Sequence, residues 1–594
     1  MKKKWFFCCT AALCLLVAAC SSSVSSDSKL EEDDITGSTN ASNTTYARIA
    51  QSVDTAKLVK AGDAVSSVSF GNDISLNLSD LSWTAASNTG TASSTDTPMT
   101  DGITIKNESG RIIINAASAT QNTKFTISGS LSGELEISGN ENYAIQLALS
   151  GASITSGNYP CINVTKAQKT FLVLSGTNSL TDGRTYGNAY SDNGSSTKAT
   201  LYTKGALLIS GSGSLAVTNN YAHGIYSKDY IRVFNGSLTV TNSGLSCIRS
   251  QNGFVMDGGS LNLRGTTSHS TRKNNNSRGI IVEGDEGAPG EGFIYITGGT
   301  ININTTGKAI SAKWDIDEDA ETTDTSDDPN PVVYITGGTF TIRTTDTVVD
   351  SDRSGTVTTT SYKGETESET ESCSPEGIEG KNGVIIAGGD FDIQTTDDAL
   401  NASYSTYGYI NISEGSLYLY SKQGDAIDSN GDINISGGTI LTVAPTGSED
   451  GFDCDGSLNF TGGTAAGISG SSHSYASNGS STQKVFVLGS SYAGSAGSTM
   501  AIKDGSGNVV FALTIPSVAS GYSIITLSSP RLGTGTYSIY SGVTASGGSQ
   551  TSGLYTSLPS VSGGSSRGTI TTTSSSAVYT LGASSGMGGP GGRS

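Results

Sequence analysis

One pattern limits the fold of this 594-residue chain more than any other feature: a small-residue turn followed by alternating apolar residues, which returns nine times through its middle. Its turn residue is Ser214, Ser237, Ser260, Thr300, Thr339, Asp390, Ser416, Thr439 and Thr464. Uninterrupted copies are spaced 23, 23, 26, 23 and 25 residues, and the longer spacings of 40, 39 and 51 leave room for an inserted loop. A second motif of the form x-small-Ile-x stands at Pro160–Asn163, His223–Tyr226, Ser246–Arg249, Arg278–Ile281, Lys308–Ser311, Glu376–Glu379, Asp398–Asn401, Asp425–Asp428 and Asp450–Asp453. From its first residue to the next turn residue is 14 residues at His223, Ser246, Glu376, Asp425 and Asp450.

After each turn the apolar residues alternate, Leu261 with Leu263, Ile301 with Ile303, Phe340 with Ile342, while Asn262, Asn302 and Thr341 point the other way. Segments this short are strands, and the glycines before the turn residue supply the positive φ that a tight corner needs. About three short strands per repeat cannot close a core alone, so successive coils must stack and bury one another's apolar residues. The expected fold is all-β, a right-handed parallel β-helix over residues 62–480, its hand taken from the crossover rule. Insertions at 265–277, 282–292, 313–330, 350–375 and 402–408 are expected as loops. Residues 481–581 lose the repeat but keep strand-like runs joined by Gly/Ser turns, which predicts a small antiparallel β module. The Gly-rich tail, 582–594, is expected to be disordered.

The chain begins Met1-Lys-Lys-Lys4, runs apolar to Ala19 and reaches Cys20 through Val17-Ala-Ala. That is a secretory signal over 1–19 with a lipobox-like ending, so Cys20 is the expected lipidation site. Residues 20–61, polar and acidic, read as a tether. The expected location is the outside of the bacterial cell envelope, with the N-terminal lipid as the only membrane contact. Four cysteines remain in the body, Cys161, Cys247, Cys373 and Cys454, too few for a disulfide framework. Cys161 and Cys247 hold the same place in tetrapeptides about three coils apart, which predicts two small buried thiols and no bridge.

Three histidines, at 223, 269 and 473, give no zinc spacing and no base for a Ser or Cys nucleophile, which disfavours metalloprotease and triad hydrolase chemistry. With 53 acidic against 34 basic residues the net charge is −19, which repels nucleic acid and favours cations. Aligning the tetrapeptides places Glu376, Asp398, Asp425 and Asp450 in one column and Glu379, Asn401, Asp428 and Asp453 in another. Carboxylates stacked about 5 Å apart repel by about 3 kcal/mol at an effective dielectric near 20, so four such rungs require a counter-charge. Oxygen ligands without His or Cys point to Ca²⁺, to which Asp432 and Asp455 could add ligands from the following turn. Lys228, Lys313 and Lys381 recur five residues after the tetrapeptide start, with Lys204 one place earlier, which predicts a cationic column suited to uronate carboxylates. Outward positions of one strand column include Arg264, Arg343, Gln394, Tyr418 and Tyr420, and exposed aromatic rings there could stack on sugar faces.

Ala199-Thr-Leu-Tyr-Thr-Lys204, leading to Gly211-Ser-Gly-Ser-Leu215 and then Gly224-Ile-Tyr-Ser-Lys-Asp229, resembles the secreted bacterial carbohydrate-binding family with a pectate-lyase-like right-handed β-helix. The resemblance runs from about Phe70 to beyond Gly463. It implies binding of cellulose or acidic plant polysaccharide, calcium held by acidic residues on the helix flank, and no established lyase activity. Tyr226, Arg249 and Ile281 depart from the family's acidic Asp-Gly-Ile-Lys form, so the early rungs are not expected to hold metal. A monomeric binder is the expected function; the alternatives are a calcium-dependent polysaccharide lyase, which needs a neutral lysine beside the metal, and an adhesin or structural spike without a sugar ligand.

Overall fold

The alternation and the turns become a stack of coils in the computed structural model, which describes residues 52–86, 88–186, 198–268, 276–285, 290–315, 329–348, 357–360, 366–369, 373–404 and 408–583. One coil is Ala199–Thr203, Ala206–Gly211 and Ser214–Asn219; the next is His223–Ser227, Tyr230–Val233 and Ser237–Asn242. Each strand pairs in parallel with its counterpart one coil on, so Leu201 faces Ile225, Leu207 faces Ile231 and Leu215 faces Leu238. The nine turn residues form one register column, Ser214, Ser237, Ser260, Thr300, Thr339, Asp390, Ser416, Thr439 and Thr464.

Directly inside that column Leu215, Leu238, Leu261, Ile301, Phe340, Phe391, Leu417, Ile440 and Ala465 stack without exposure to water. Phe340 and Phe391 lie face to face, 4.5 Å between centroids. Each Leu, Ile or Phe of the column contributes about 1.5–3 kcal/mol by leaving water, and truncating one, as in Leu238→Ala, costs about 2–5 kcal/mol because neighbouring coils cannot collapse onto the gap. The corner itself needs glycine: Gly299 and Gly338, one before the turn residue, sit at φ 98° and 110°.

The tetrapeptide strands form a 14-stranded sheet that is parallel from Arg111–Asn115 to Asp453–Cys454, and the other two faces belong to a 24-stranded sheet. At the N-terminal end antiparallel strands close the stack, Asn72–Asn77 with Ser82–Ala85 and Asn88–Thr91 on one sheet, which blunts an edge that would otherwise accept another chain. Two insertions start later than their spacing suggests, because pairing carries strands Arg278–Asp285 and Ile310–Asp315 past 282 and 313. No helix among the described residues is long and apolar enough to cross a membrane. The leader, Cys20 and the end of the tail lie outside the described residues.

Residues 53–70 run along the outside of the stack, so the last part of the segment read as tether is in contact with the body. Leu58 is buried against Val255, Phe293 and Val332, while Val65, Val68 and Phe70 pack on Phe171, Leu208 and Tyr230. Isolated apolar residues in a polar stretch gave no periodic signal, and only the outward Phe and Val of several distant coils provide their partners. Asp63, 2 % exposed, fastens the strap: it takes Lys169 at 2.8 Å, Arg232 at 3.2 Å and the Tyr230 hydroxyl. Asp63→Ala removes the acceptor of the buried Tyr230 hydroxyl and one partner each of Lys169 and Arg232, which keep Ala61 and Asp257, at about 1–3 kcal/mol. The expected result is faster tryptic cleavage at Lys57 and Lys60 in the variant, with the coils still resistant.

At the other end strand Leu458–Ser469 is followed by antiparallel Ile524–Ser528, which pairs in turn with Val485–Gly489, so part of the C-terminal module continues the large sheet. A separate six-stranded antiparallel sheet includes Thr499–Lys503, Val509–Thr514 and Gly535–Ser546. Leu441, Val443, Ala466 and Ile468 on the last coils share an apolar cluster with Phe486, Met500, Phe511 and Ile525 of that module. Cys161 and Cys247 are buried thiols whose ionisation burial pushes far up, so neither is expected to react with a thiol reagent until the chain unfolds.

Candidate acidic ladder on the tetrapeptide sheet

Parallel pairing of the tetrapeptides sets their last residues in one column, Ser311, Glu379, Asn401, Asp428 and Asp453, each facing the next. The first residues form the neighbouring column. There the Asp398 carboxylate accepts the Asp425 N–H at 2.7 Å, and the Asp425 carboxylate accepts the Asp450 N–H at 2.5 Å. Glu376, Glu379, Asp398, Asn401, Asp425 and Asp450 are all buried.

The rungs are neutralised unevenly. At the first, the counter-charge is Lys308, itself only 2 % exposed, whose ammonium lies 3.0 Å from Glu379 and 3.3 Å from Glu376. Glu379 also takes the hydroxyls of Ser311 at 2.7 Å and Ser403 at 2.9 Å. At the second, Asn401 replaces a carboxylate and donates through Nδ2 to Glu376 at 3.1 Å and Asp398 at 3.2 Å, leaving its buried Oδ1 without a hydrogen-bond partner.

Beyond Asn401 negative charge accumulates. Burial raises the Asp398 carboxyl well above the ordinary carboxylate range, and Asp397, Asp428, Asp425 and Glu376 push it the same way. Asp425 is raised by burial and then by Asp428 and Asp453. Asp450 is pushed up to about 8 by burial and Asp453, against the opposing hydrogen bonds of Ser469 and Ser471. One oxygen from each of Asp425, Asp428 and Asp453 lies within 4.8 Å of the others, the one such group of potential ligands among the described residues. Tyr475, half-buried beside it, is held protonated by burial and by its contact with Asp453.

Other residues named from the sequence are placed differently. The Asp432 carboxylate caps the Ser457 N–H at 2.9 Å and Asp455 is exposed, so neither joins the three convergent carboxylates. The lysine column is mixed: register puts Glu283 against Lys313, whose ammonium is 3.5 Å from that carboxylate, while Lys228 sits over the Tyr226 ring at 5.6 Å and Lys381 is half-buried farther along. Arg343 is engaged by Asp392 at 2.6 Å. Tyr418 and Tyr420 are half-buried against the apolar cluster beneath the C-terminal module, so less of each ring meets solvent than an outward strand position suggests. Their columns continue into Leu441 and Val443, which that module covers. Tyr420→Ala is therefore expected to loosen the module, read as a lower melting temperature.

The sequence reading missed two residues at the ladder. Lys308 was visible in the tetrapeptide alignment, directly before Glu376 in the first column; Tyr475 follows the last coil, where no repeat guides the eye.

An all-β stack of coils carrying a ladder of carboxyl groups defines the class. Within it, this chain belongs to the family described as carbohydrate-binding domain-containing protein, whose model matches residues 108–407. That match takes in Lys308, Glu376 and Asn401 and ends before Asp425. Among solved structures, the chain is similar to a polysaccharide lyase-like protein from C. thermocellum, determined as a gadolinium derivative, at 21 % identity over 46 % of this chain and 91 % of that one, with a TM-score of 0.34. No curated protein matches it.

Proposed function

We propose that this protein is a calcium-assisted polysaccharide binder, exported and lipid-anchored through Cys20, with acidic plant-type polysaccharide or cellulose as its ligand. Membership of a carbohydrate-binding family supports the polysaccharide. The single observation that supports calcium is the convergence of Asp425, Asp428 and Asp453 within 4.8 Å, at the end of the ladder where no lysine stands in the aligned tetrapeptide positions.

The donor set fits the ion. All three groups are hard oxygens, the adjoining Cys454 side chain is packed in the core, and the nearest histidine in sequence, His473, hydrogen-bonds Ser471 instead. Asp425, Asp428 and Asp453 would hold Ca²⁺, with Asp450 beside them. The ion would neutralise the rungs and offer positive charge to hydroxyl or carboxylate oxygens of a sugar.

Binding is favoured over lysis because the lysine built into the ladder, Lys308, is an ion-pair partner of two carboxylates, whereas a proton-abstracting lysine must be neutral. The test is incubation of the protein, with calcium, on acidic and neutral polysaccharides, following both depletion of protein from solution and ultraviolet absorbance of unsaturated products. Depletion that chelator abolishes, with flat absorbance, is expected. Rising absorbance would make the protein a lyase, and neither signal would leave a structural spike.

A further inference from the structure

The acid trio sits at an end of the tetrapeptide sheet, whose last strand is Asp453–Cys454. Asp425 is buried there, whereas Asp428 and Asp453 are half-exposed, so the trio opens to solvent through its last two members. Beyond Asp453 the stack is closed by the chain that follows the last coil. After strand Leu458–Ser469, the N–H groups of Gly470 and Ser471 meet the carbonyls of Ala444 at 2.7 Å and Glu449 at 3.1 Å, and Ala476 then bridges to Leu458. Tyr475 is brought to the end of the ladder by this return.

The return is fixed at several points. The Ser469 and Ser471 hydroxyls bond the Asp450 carboxyl, the Ser471 oxygen accepts the His473 N–H at 3.1 Å, and Thr526 of the C-terminal module reaches Ser474 at 3.2 Å. The Tyr475 ring packs on the edge of the solenoid core, and its hydroxyl donates to Asp453. Among the described residues no second ring and no cation pairs with it, and the side turned from the core meets solvent. An aromatic surface held on one side and wet on the other, next to half-exposed carboxylates, suits a ligand with an apolar face and an oxygen-bearing edge. A pyranose has both.

We infer that Tyr475 is the sugar platform of the calcium site: the apolar face of a uronate residue rests on its ring, and the carboxylate of that sugar reaches the ion held by Asp425, Asp428 and Asp453. This placement of the sugar rests on the calcium reading above and adds to it a contact residue and a sugar class. Ca²⁺ takes about six to eight oxygens, more than three carboxylates supply through one oxygen each, so positions remain for the sugar. A uronate carboxylate is preferred there over a neutral hydroxyl because it brings charge as well as oxygens.

The test measures trigalacturonate binding to the whole protein at saturating calcium, by calorimetry and by the tyrosine ultraviolet difference spectrum. Tyr475→Ala should weaken binding about tenfold or more and lose the difference signal, while Tyr475→Phe should bind nearly as the wild type does. Both variants should keep native circular dichroism and calcium uptake, and cellotriose should bind the wild type more weakly than trigalacturonate. Four results would each overturn the platform: no trigalacturonate binding or no tyrosine signal in the wild type, undiminished binding in Tyr475→Ala, equal affinity for the two oligosaccharides, or equal loss in both variants. Loss of calcium uptake in Tyr475→Ala would also overturn it, leaving Tyr475 a positioning residue for Asp453. Trigalacturonate binding through Tyr475 that persists in chelator would keep the platform and sink the calcium reading; calcium uptake with no effect of Tyr475→Ala on the sugar would do the reverse.

Discussion

In chelator the protein is expected to lose stability as the pH rises from about 4 to about 8, the opposite of a carboxylate-rich protein held by salt bridges. Asp398, Asp425 and Asp450 have folded-state pKa values above their unfolded ones, so the folded, metal-free ladder keeps protons that the unfolded chain gives up. Their favourable contribution is present below the unfolded carboxylate pKa and disappears as the pH passes through the folded values. For Asp450, pushed up to about 8, the difference at pH 7 is about three units, or about 4 kcal/mol. Melting in chelator at pH 5 and pH 8 measures this directly: a lower midpoint at pH 8, relieved by Asp450→Asn or by added calcium, is expected. A metal-free midpoint that rises over the same interval would show that these carboxyls ionise without cost, and the ladder would then need no ion.

The second large effect belongs to Lys308. Replacing it by Met keeps much of its buried stem but removes the ammonium between Glu376 and Glu379, leaving two buried carboxyls without their cation. Breaking a buried pair from one side costs about 3–5 kcal/mol, because the remaining charge stays desolvated. The urea midpoint of Lys308→Met should drop accordingly, and adding Glu376→Gln and Glu379→Gln should recover most of the loss. If Lys308→Met unfolds like the wild type, the counter-charge at the first rung is not Lys308.

Much of this architecture was legible in the chain because two codes repeat independently. The Ser/Thr turn column and the tetrapeptide column were each aligned from spacing alone, and pairing places Ser214 to Thr464 and Ser311 to Asp453 in those same columns. Period-2 alternation is readable because one face of each strand must be apolar in every coil. Contacts made between non-repeating segments were not readable. Nothing near Leu58 says that it lies against Val255 and Phe293, some 200 residues on, and nothing near Tyr418 says that a module after residue 480 covers the next coils. The counter-charge of the first rung was hidden for a related reason. Lys313 and Lys381 share an offset from the tetrapeptide and so read as a column, whereas Lys308, inside the motif, reads as an ordinary variable position until register brings it against two glutamates.

Calcium binding by the last rungs decides whether the acidic ladder is a metal site. Chelator-treated protein titrated calorimetrically with Ca²⁺ should show saturable uptake, and Asp425→Asn with Asp428→Asn should abolish the strongest site while circular dichroism stays native. Full uptake in that double variant would move the ion elsewhere, and no uptake by the wild-type protein would contradict the central claim.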